Sequence, residues 1–333
     1  MSKRAKTAPM DALAAVLPER SAKAGEVLIR EGNYSDSLMI LVEGMAEVRL
    51  QVAKGALIVG QKGPGAWVGE MGLLTPGPAS ASVVATEATR VRVLSHASYL
   101  DLLETQPRAV GEALHTISED IVARLRSARE QPESEGEDQA VSMIRALVGA
   151  VTPDLARTTS PRRAAEKQMP RVDEEALMAT LEHAGVFPQA DARTPGLRKA
   201  LAALAGSGLS VQTYLHGETI FSEGDRADGA FVMLGGHAVL EARADRPFAP
   251  GGRLGPGDLF GHHAFFADRV RAATVRSEGA SVVAVLWPGT VDEILRQARS
   301  GTTLWLPLLD WFSQRLASEA REFNHLLVKA LLA

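Results

Sequence analysis

The sequence predicts a mainly β fold with flanking helices (α+β), arranged as two tandem β-sandwich or jelly-roll barrels that are each followed by an amphipathic helix. Three observations predict it. The chain of 333 residues aligns with itself without a gap at an offset of 192 residues. Each copy begins with short runs of alternating polarity separated by Gly, Asp or Asn. Each copy then continues into apolar stretches at helical spacing.

The internal repeat consists of motifs that keep one fixed spacing. Gly25-Glu26 recurs as Gly217-Glu218, and Gly63-Pro64-Gly65 recurs as Gly255-Pro256-Gly257. Surface loops drift in length unless something fixes them, so a constant offset over about seventy residues indicates two copies of one globular domain. The recurring glycines are typical of turn positions with positive φ, where a Cβ costs energy.

The strands of each copy are predicted from their alternating or β-branched residues and from the turn residues between them. The predicted runs are 26–29, 37–42 and 46–50 in the first copy, and 218–221, 231–234 and 238–241 in the second.

Composition shifts divide the chain into three parts. We predict a first domain over 8–130, a linker that contains a helix over 131–172, and a second domain with the C-terminal helices over 173–333. The linker opens with an acidic run and ends in a Pro-, Thr- and Arg-rich stretch. From 174 to 204 the pattern is helical and leads into the second barrel.

One segment of the second copy is suited to holding an anion. Gly261 is followed by a predicted short helix, whose free N–H groups and positive dipole end suit a phosphate. Arg271, ten residues beyond that glycine, can fold back and pair with the same anion. The alternative is that Arg271 is a surface ion-pair partner and that the glycine only turns the chain.

In combination these motifs resemble the cyclic nucleotide-binding domain family, over most of both halves. The matching pieces are 214–228, Gly236, 254–261 and the run Arg271-Ala272-Ala273-Thr274. Both copies keep the spacing from cassette glycine to arginine position found in regulatory subunits of protein kinase A, and the chain also resembles the sensor domain of the catabolite activator protein. The resemblance implies a cyclic nucleotide as ligand, held by a phosphate-binding cassette, and no metal or other cofactor.

The cassette of the first copy lacks the family's arginine. The resemblance implies that a glutamate binds the ribose hydroxyl and that an arginine binds the phosphate; this copy keeps Glu70 but has Ala79 at the arginine position. Losing one charged hydrogen bond weakens binding roughly tenfold to several hundredfold. We therefore predict a degenerate, silent site. Its residues are Gly69, Glu70, Met71, Gly72, Ala79, Ser80, Ala81 and Ser82.

The cassette of the second copy keeps Arg271 but has His262 where the glutamate belongs. A neutral imidazole has one donor and one acceptor and so can engage a ribose hydroxyl; a protonated one would attract the phosphate. We predict the ligand site here. Its residues are Gly261, His262, His263, Ala264, Arg271, Ala272, Ala273 and Thr274.

Two alternatives concern the adjacent histidines: they are polar rim residues, or they bind a metal. A metal is disfavoured because neighbouring residues point in different directions and the sequence shows no further ligand at suitable spacing. The resemblance implies that a Thr or Ser after the arginine accompanies guanine preference. Ala272 therefore favours cyclic AMP over cyclic GMP.

Amphipathic helices follow both barrels. The resemblance implies that such a helix closes over the base, shifts when ligand binds, and in many members pairs into a homodimer. The alternative is that each stripe packs on its own barrel. The stripe of the first copy is Val110, Leu114, Ile117, Ile121 and Leu125; that of the second is Leu308, Phe312, Leu316, Phe323, Leu327 and Leu331, with Trp305 and Trp311 in the same stretch.

Composition excludes several classes. A net charge of −4 without a long basic run argues against a nucleic-acid partner. We find no membrane-spanning run, signal peptide, nucleophile–base pair or paired carboxylates, and the absence of cysteine is compatible with the cytoplasm. We predict a non-enzymatic cytoplasmic signalling protein that relays nucleotide binding to a protein effector. The alternative is a degenerate tandem-barrel scaffold that binds no nucleotide.

Overall fold

A computed structural model describes residues 10, 13–52, 55–129, 174–187, 191–205, 209–227, 229–241, 252–266, 269–286, 288–300 and 304–332. The chain divides into two units, one of residues 1–151 with 297–333 and one of residues 152–296. The predicted linker over 131–172 lies outside the described residues.

The first unit contains a barrel of two four-stranded antiparallel sheets, which alternation of buried and exposed side chains directs onto a common core. The strand orders are β1-β10-β4-β7 and β2-β9-β5-β6, with a small extra pair β3-β8. The strands are β1 Glu19–Ala22, β2 Val27–Ile29, β3 Tyr34–Ser35, β4 Ser37–Glu43, β5 Ala46–Val52, β6 Gly55–Lys62, β7 Trp67–Val68, β8 Gly77–Pro78, β9 Ser82–Ala85 and β10 Thr89–Ser95.

The second unit repeats this arrangement. Its orders are β11-β18-β13-β16 and β12-β17-β14-β15, which correspond strand for strand to the first barrel. The strands are β11 Leu209–Tyr214, β12 Thr219–Phe221, β13 Ala230–Gly235, β14 Ala238–Glu241, β15 Gly252–Leu254, β16 Leu259–Phe260, β17 Thr274–Ser277 and β18 Ser281–Leu286. The predicted fold class, mainly β with two tandem barrels and flanking helices, is confirmed.

The register of pairing also repeats at the offset of 192. Met39 lies opposite Val68 in the first barrel, and Phe231 lies opposite Phe260 in the second. The other sheet repeats its register in the same way, from β2 and β9 to β12 and β17. Equivalent numbers therefore mark equivalent places on the two barrels.

Helices surround both barrels. The helices of the first barrel are α1 Glu70–Leu74, α2 His96–Thr105 and α3 Pro107–Arg129. The second barrel is preceded by α4 Glu174–His183 and α5 Thr194–Ala205, and it contains a 3₁₀ helix at His262–Phe265. Its last strand is followed by α6 Pro288–Arg299 and α7 Leu306–Leu332. None of the described helices combines the length and the apolar character that crossing a membrane requires.

The two predicted apolar stripes are buried. All five stripe residues of α3 are at most 1 % exposed. On α7, Leu308, Leu316 and Leu327 are fully buried and Phe312 and Phe323 are nearly so. The side chain of Leu331 lies outside the described residues.

The position of α7 corrects the predicted domain division, in which the C-terminal helices complete the second domain. Residues 297–333 belong to the first unit, where α7 packs on α3 and α1. Buried polar contacts fix the register of the two helices: Tyr99 Oη donates to Asp310 Oδ1 at 2.5 Å, and the hydroxyls of Ser118 and Ser313 lie 2.8 Å apart. An apolar stripe needs a partner but does not specify which one.

The predicted positive-φ glycines are confirmed at the turn between β4 and β5 and at its counterpart. Gly44 has φ 86° and Gly236 has φ 75°. A Cβ on Gly44 would lie 2.5 Å from the carbonyl oxygen of Ala88. Both conformation and space therefore require glycine at this turn.

Candidate functional site

The two cassettes share one backbone geometry. Gly69 (φ 85°) precedes α1, and Gly261 (φ 71°) precedes the 3₁₀ helix. A Cβ on Gly69 would collide with the carbonyl of Ser37, and one on Gly261 would lie 2.7 Å from Nη1 of Arg271. Glycine therefore permits the sharp turn from strand into helix in both barrels.

In the second barrel Arg271 points inwards, as the sequence predicts. Its side chain is only 2 % exposed, and Nη1 donates to the carbonyl oxygen of Gly261 at 2.9 Å. The guanidinium carbon lies 4.4 Å from the ring centre of Phe221 and 5.1 Å from that of Phe231. Cation–π contacts of this kind stabilise a desolvated guanidinium. The alternative of a surface ion pair is wrong.

Aromatic rings fill the barrel beside Arg271. Phe231 stacks on Phe221 at 5.4 Å and on Phe260 at 5.2 Å between ring centres. All three rings belong to the buried core of this barrel. A ligand that is to reach the guanidinium must therefore displace some of these buried side chains.

The other predicted residues of the second cassette have mixed environments. His262 is 1 % exposed and Ala264 is 2 % exposed, whereas His263 is half-buried and Ala272 is exposed. The two imidazole rings lie 5.0 Å apart, nearly perpendicular. Burial of His262 does not agree with the alternative of two polar rim residues.

Thr274 has a structural role that its counterpart shares. Its Oγ1 accepts a hydrogen bond from the N–H of Glu223 at 3.0 Å. In the first barrel Ser82 Oγ accepts from the N–H of Glu31 at the same distance. These hydroxyls therefore hold the turn that follows β2 or β12 against β9 or β17. Ala273, between Ala272 and Thr274, is half-buried.

The first barrel is hollow where the second is filled. A cavity of about 90 Å³ lies against the cassette, and since one water needs roughly 10–15 Å³ by such a measure, it has room for several. Aliphatic side chains and the indole of Trp67 form its apolar wall. The predicted residues that line it are Gly69, Glu70, Met71, Gly72, Ala79, Ser80 and Ala81.

A buried ion pair lies in this cavity wall. Glu70 is 4 % exposed and Arg124 on α3 is 8 % exposed. Arg124 Nη2 donates to Glu70 Oε1 at 2.7 Å and also lies 3.0 Å from Asp120 Oδ2. Burial alone would raise the pKa of Glu70, but the Arg124 charge and hydrogen bond outweigh it, so this pKa is lowered. Burial works against the charge of Arg124 too, yet both carboxylates raise its pKa. The pair is therefore ionised.

Further polar residues line the cavity, among them Lys62 from β6, and Arg321 and Asn324 from α7. Sequence reasoning missed them because it considered only the cassette and its arginine position. The sequence does contain one indication of such a residue. Asn324 stands three residues before Leu327, on the apolar face of a predicted helix, and a polar side chain buried there needs a hydrogen-bond partner.

The cyclic nucleotide-binding domain family model matches residues 19–106 and 211–298, which together are more than half of the chain. Each match falls on one barrel. The chain therefore belongs to the cyclic nucleotide-binding domain family and carries two tandem copies of that domain.

Similar proteins match over parts of the chain. A stretch of 78 residues is 38% identical to the acetyltransferase Pat of Mycolicibacterium smegmatis and makes up 23% of each chain. A stretch of 79 residues is 38% identical to the cAMP-dependent protein kinase regulatory subunit of Mycosarcoma maydis, at 23% of this chain and 15% of that one. The chain thus spans less than a quarter of the length of these curated relatives.

Among solved structures, the cAMP-bound PfPKA-R (141–441) is 16% identical to this chain. The match covers 90% of this chain and 86% of that one, with a TM-score of 0.30.

Proposed function

We propose that the chain is a non-enzymatic signalling protein that binds a cyclic nucleotide in its second barrel and relays binding to a protein effector. Membership of the cyclic nucleotide-binding domain family supports the ligand class. The regulatory-subunit relative supports a protein effector. The absence of cysteine is compatible with the predicted cytoplasmic location, which stays a prediction.

The observation that carries this proposal is the position of Arg271. A guanidinium inside the barrel, 2.9 Å from the cassette glycine carbonyl, is desolvated and therefore interacts strongly with an arriving anion. Arg271 and His262 are at most 2 % exposed. Binding consequently requires the cassette to open, which couples occupancy to a change of shape.

The choice of cyclic AMP over cyclic GMP rests on Ala272, which offers no hydroxyl to a guanine.

For the relay, α6 is the element that directly follows the last strand of the second barrel, and α7 comes next in the chain. A shift of α6 on binding is the simplest way to carry the signal onward. Homodimerisation through the helix stripes stays a prediction; the stripes of α3 and α7 are already buried in the first unit.

Calorimetry with cyclic AMP and cyclic GMP tests this proposal on the wild type, Arg271→Ala and Arg253→Ala. Arg253 lies on β15 with a side chain 62% exposed, so its removal controls for loss of one guanidinium. At the second-barrel site we expect tighter binding of cyclic AMP than of cyclic GMP, a roughly 10- to 100-fold loss of affinity in Arg271→Ala, and near wild-type affinity in Arg253→Ala. No heat from either nucleotide on the wild type would rule out nucleotide binding.

A second candidate is a scaffold that uses the barrels without a nucleotide. The burial of Arg271 against Phe221 and Phe231 favours it, because those rings and the Gly261 carbonyl already stabilise the guanidinium. This candidate predicts no nucleotide heat together with a stable complex with a partner protein.

A further inference from the structure

The cavity of the first barrel contains more positive than negative charge. Lys62, Arg124 and Arg321 line it together with a single carboxylate, that of Glu70; Asp120 reaches Arg124 from α3. Burial and the charge of Arg124 lower the pKa of Lys62, although Glu70 and Asp120 oppose this. Among the described residues the Lys62 ammonium makes no hydrogen bond or ion pair. An anion inside the cavity would relieve this surplus.

Arg321 places its guanidinium at the cavity wall from outside the cassette. Nη2 donates to the carbonyl oxygens of Met71 and Thr75 at 2.8 and 2.6 Å. These bonds hold the side chain beside the loop that leads to Ala79. Burial lowers the pKa of Arg321, but an arginine remains charged. Its Nε is buried and makes no hydrogen bond to the described residues.

Asn324 presents a buried acceptor to the same cavity. It is 5 % exposed, and its Nδ2 donates to the carbonyl oxygen of Ser80 at 3.2 Å. This contact fixes the orientation of the amide, since the reverse would place two oxygens together. The Oδ1 atom is buried and accepts no hydrogen bond from the described residues. A ligand with a hydroxyl or amino group would satisfy it.

We propose that the first barrel is a second ligand site, for an organic phosphate that carries a hydrogen-bond donor, and that α7 completes it. Arg321 supplies the cation that the cassette lacks at Ala79, and Asn324 accepts from the donor of the ligand. Lys62 adds a second positive charge. The apolar wall, which includes Ile29, Trp67 and Val83, packs on the apolar part of the ligand.

This site differs from the predicted silent cassette because its cation comes from elsewhere in the chain. The contact from Arg321 to Met71 spans 250 residues. Because α7 follows the second barrel in the sequence, a ligand in the first barrel would stabilise the docked position of a segment beyond the second. The site is incomplete without that helix.

Calorimetry on the full chain in an Arg271→Ala background tests the proposal, because this background removes the site proposed for the second barrel. Cyclic AMP is the organic probe and inorganic phosphate is the second arm. We expect cyclic AMP binding to persist, to weaken roughly 10- to 100-fold on adding Arg321→Ala, and to weaken about tenfold on adding Asn324→Ala. Lys329→Ala, which removes an exposed cation from the same helix, should change nothing.

Arg321 also bonds the end of α1, so Arg321→Ala can act through folding. Adding Ala79→Arg to that variant separates the two effects, since it returns a guanidinium to the cassette and should restore binding. The proposal is overturned if Arg321→Ala binds like its parent, if Ala79→Arg fails to restore binding, or if inorganic phosphate binds as tightly as cyclic AMP. Loss of all cyclic AMP binding in Arg271→Ala alone would overturn the first-barrel site and support the second-barrel site. Unchanged cyclic AMP binding in Arg271→Ala would support the first-barrel site and overturn the second-barrel site.

Discussion

The two barrels have the same strand order and register but different interiors. Ile29, Met39 and Val68 in the first barrel occupy the places of three phenylalanines in the second, at 221, 231 and 260. Ile29 and Val68 line a cavity. At the equivalent places of the second barrel, Phe221 and Phe260 pack with Phe231 in a buried core, and Arg271 lies against Phe221 and Phe231. Repetition of the backbone has therefore fixed the fold without fixing the contents of the site.

The cassettes differ in a complementary way. The barrel that kept the arginine buries it on phenylalanine rings, and the barrel that lost it keeps the hollow and receives a guanidinium from α7. The glutamate follows the same logic. The carboxylate of Glu70 can stay buried because Arg124 lies 2.7 Å away. The equivalent residue of the second barrel is His262, and an imidazole, unlike a carboxylate, can be buried without carrying a charge. A buried charge persists only where a partner is supplied.

The largest effect should come from removing the partner of Glu70. Arg124→Ala leaves a carboxylate that is 4 % exposed without its principal counter-charge, and such a loss costs about 3–5 kcal/mol of unfolding free energy. Denaturant unfolding measures it. Arg108→Ala is the control, since Arg108 is 77% exposed and pairs with Glu112 one turn away; we expect a loss below about 0.5 kcal/mol. Equal effects would contradict the importance of the buried pair.

A reciprocal exchange at Val68 and Phe260 should have the next largest effect. Phe260→Val removes ring atoms from a packed core and should cost the second barrel roughly 2–3 kcal/mol. Val68→Phe grows into an existing cavity, so it should cost less than the roughly 1–3 kcal/mol of ordinary overpacking. Hydrogen exchange resolved by peptide reports each barrel separately. If both substitutions destabilise equally, the contrast between filled and hollow interiors is wrong.

Much of the fold that the two barrels share could be predicted from sequence. A gapless repeat predicted two barrels because register and loop length are preserved together, and the cassette glycines followed from the turn they must make. The α3 stripe of Val110 to Leu125 predicted a buried face. Each of these features depends on local spacing, which a single sequence displays directly.

The remaining features depend on contacts between distant segments. The α7 stripe predicted which face is buried but not that α3 covers it, because an apolar face carries no label for its partner. The 250-residue contact from Arg321 to Met71 leaves no pattern within either segment. Likewise, the cavity is lined by side chains from several strands and helices, and only the folded register brings these side chains together.

The smallest effect should appear as a pH dependence that belongs to the first barrel. The pKa of Glu70 is lowered in the fold, since Arg124 outweighs the effect of burial. Its stabilisation is therefore complete above the pKa of the unfolded chain, about 4.3, and is lost as pH falls through the folded pKa.

Glu70→Gln removes this titration while leaving Asp120 to pair with Arg124. We expect the stability advantage of the wild type over Glu70→Gln to be constant near neutral pH and to shrink steadily as the pH falls below about 5. Glu104→Gln, an exposed carboxylate on α2, controls for loss of one negative charge. Denaturant midpoints measured from pH 7 to pH 3 test whether Glu70 is ionised in the fold. If the midpoints of wild type and Glu70→Gln change with pH in the same way, the buried carboxylate is not ionised. In that case the charge contrast between the two barrels would rest on Lys62 and Arg321 alone.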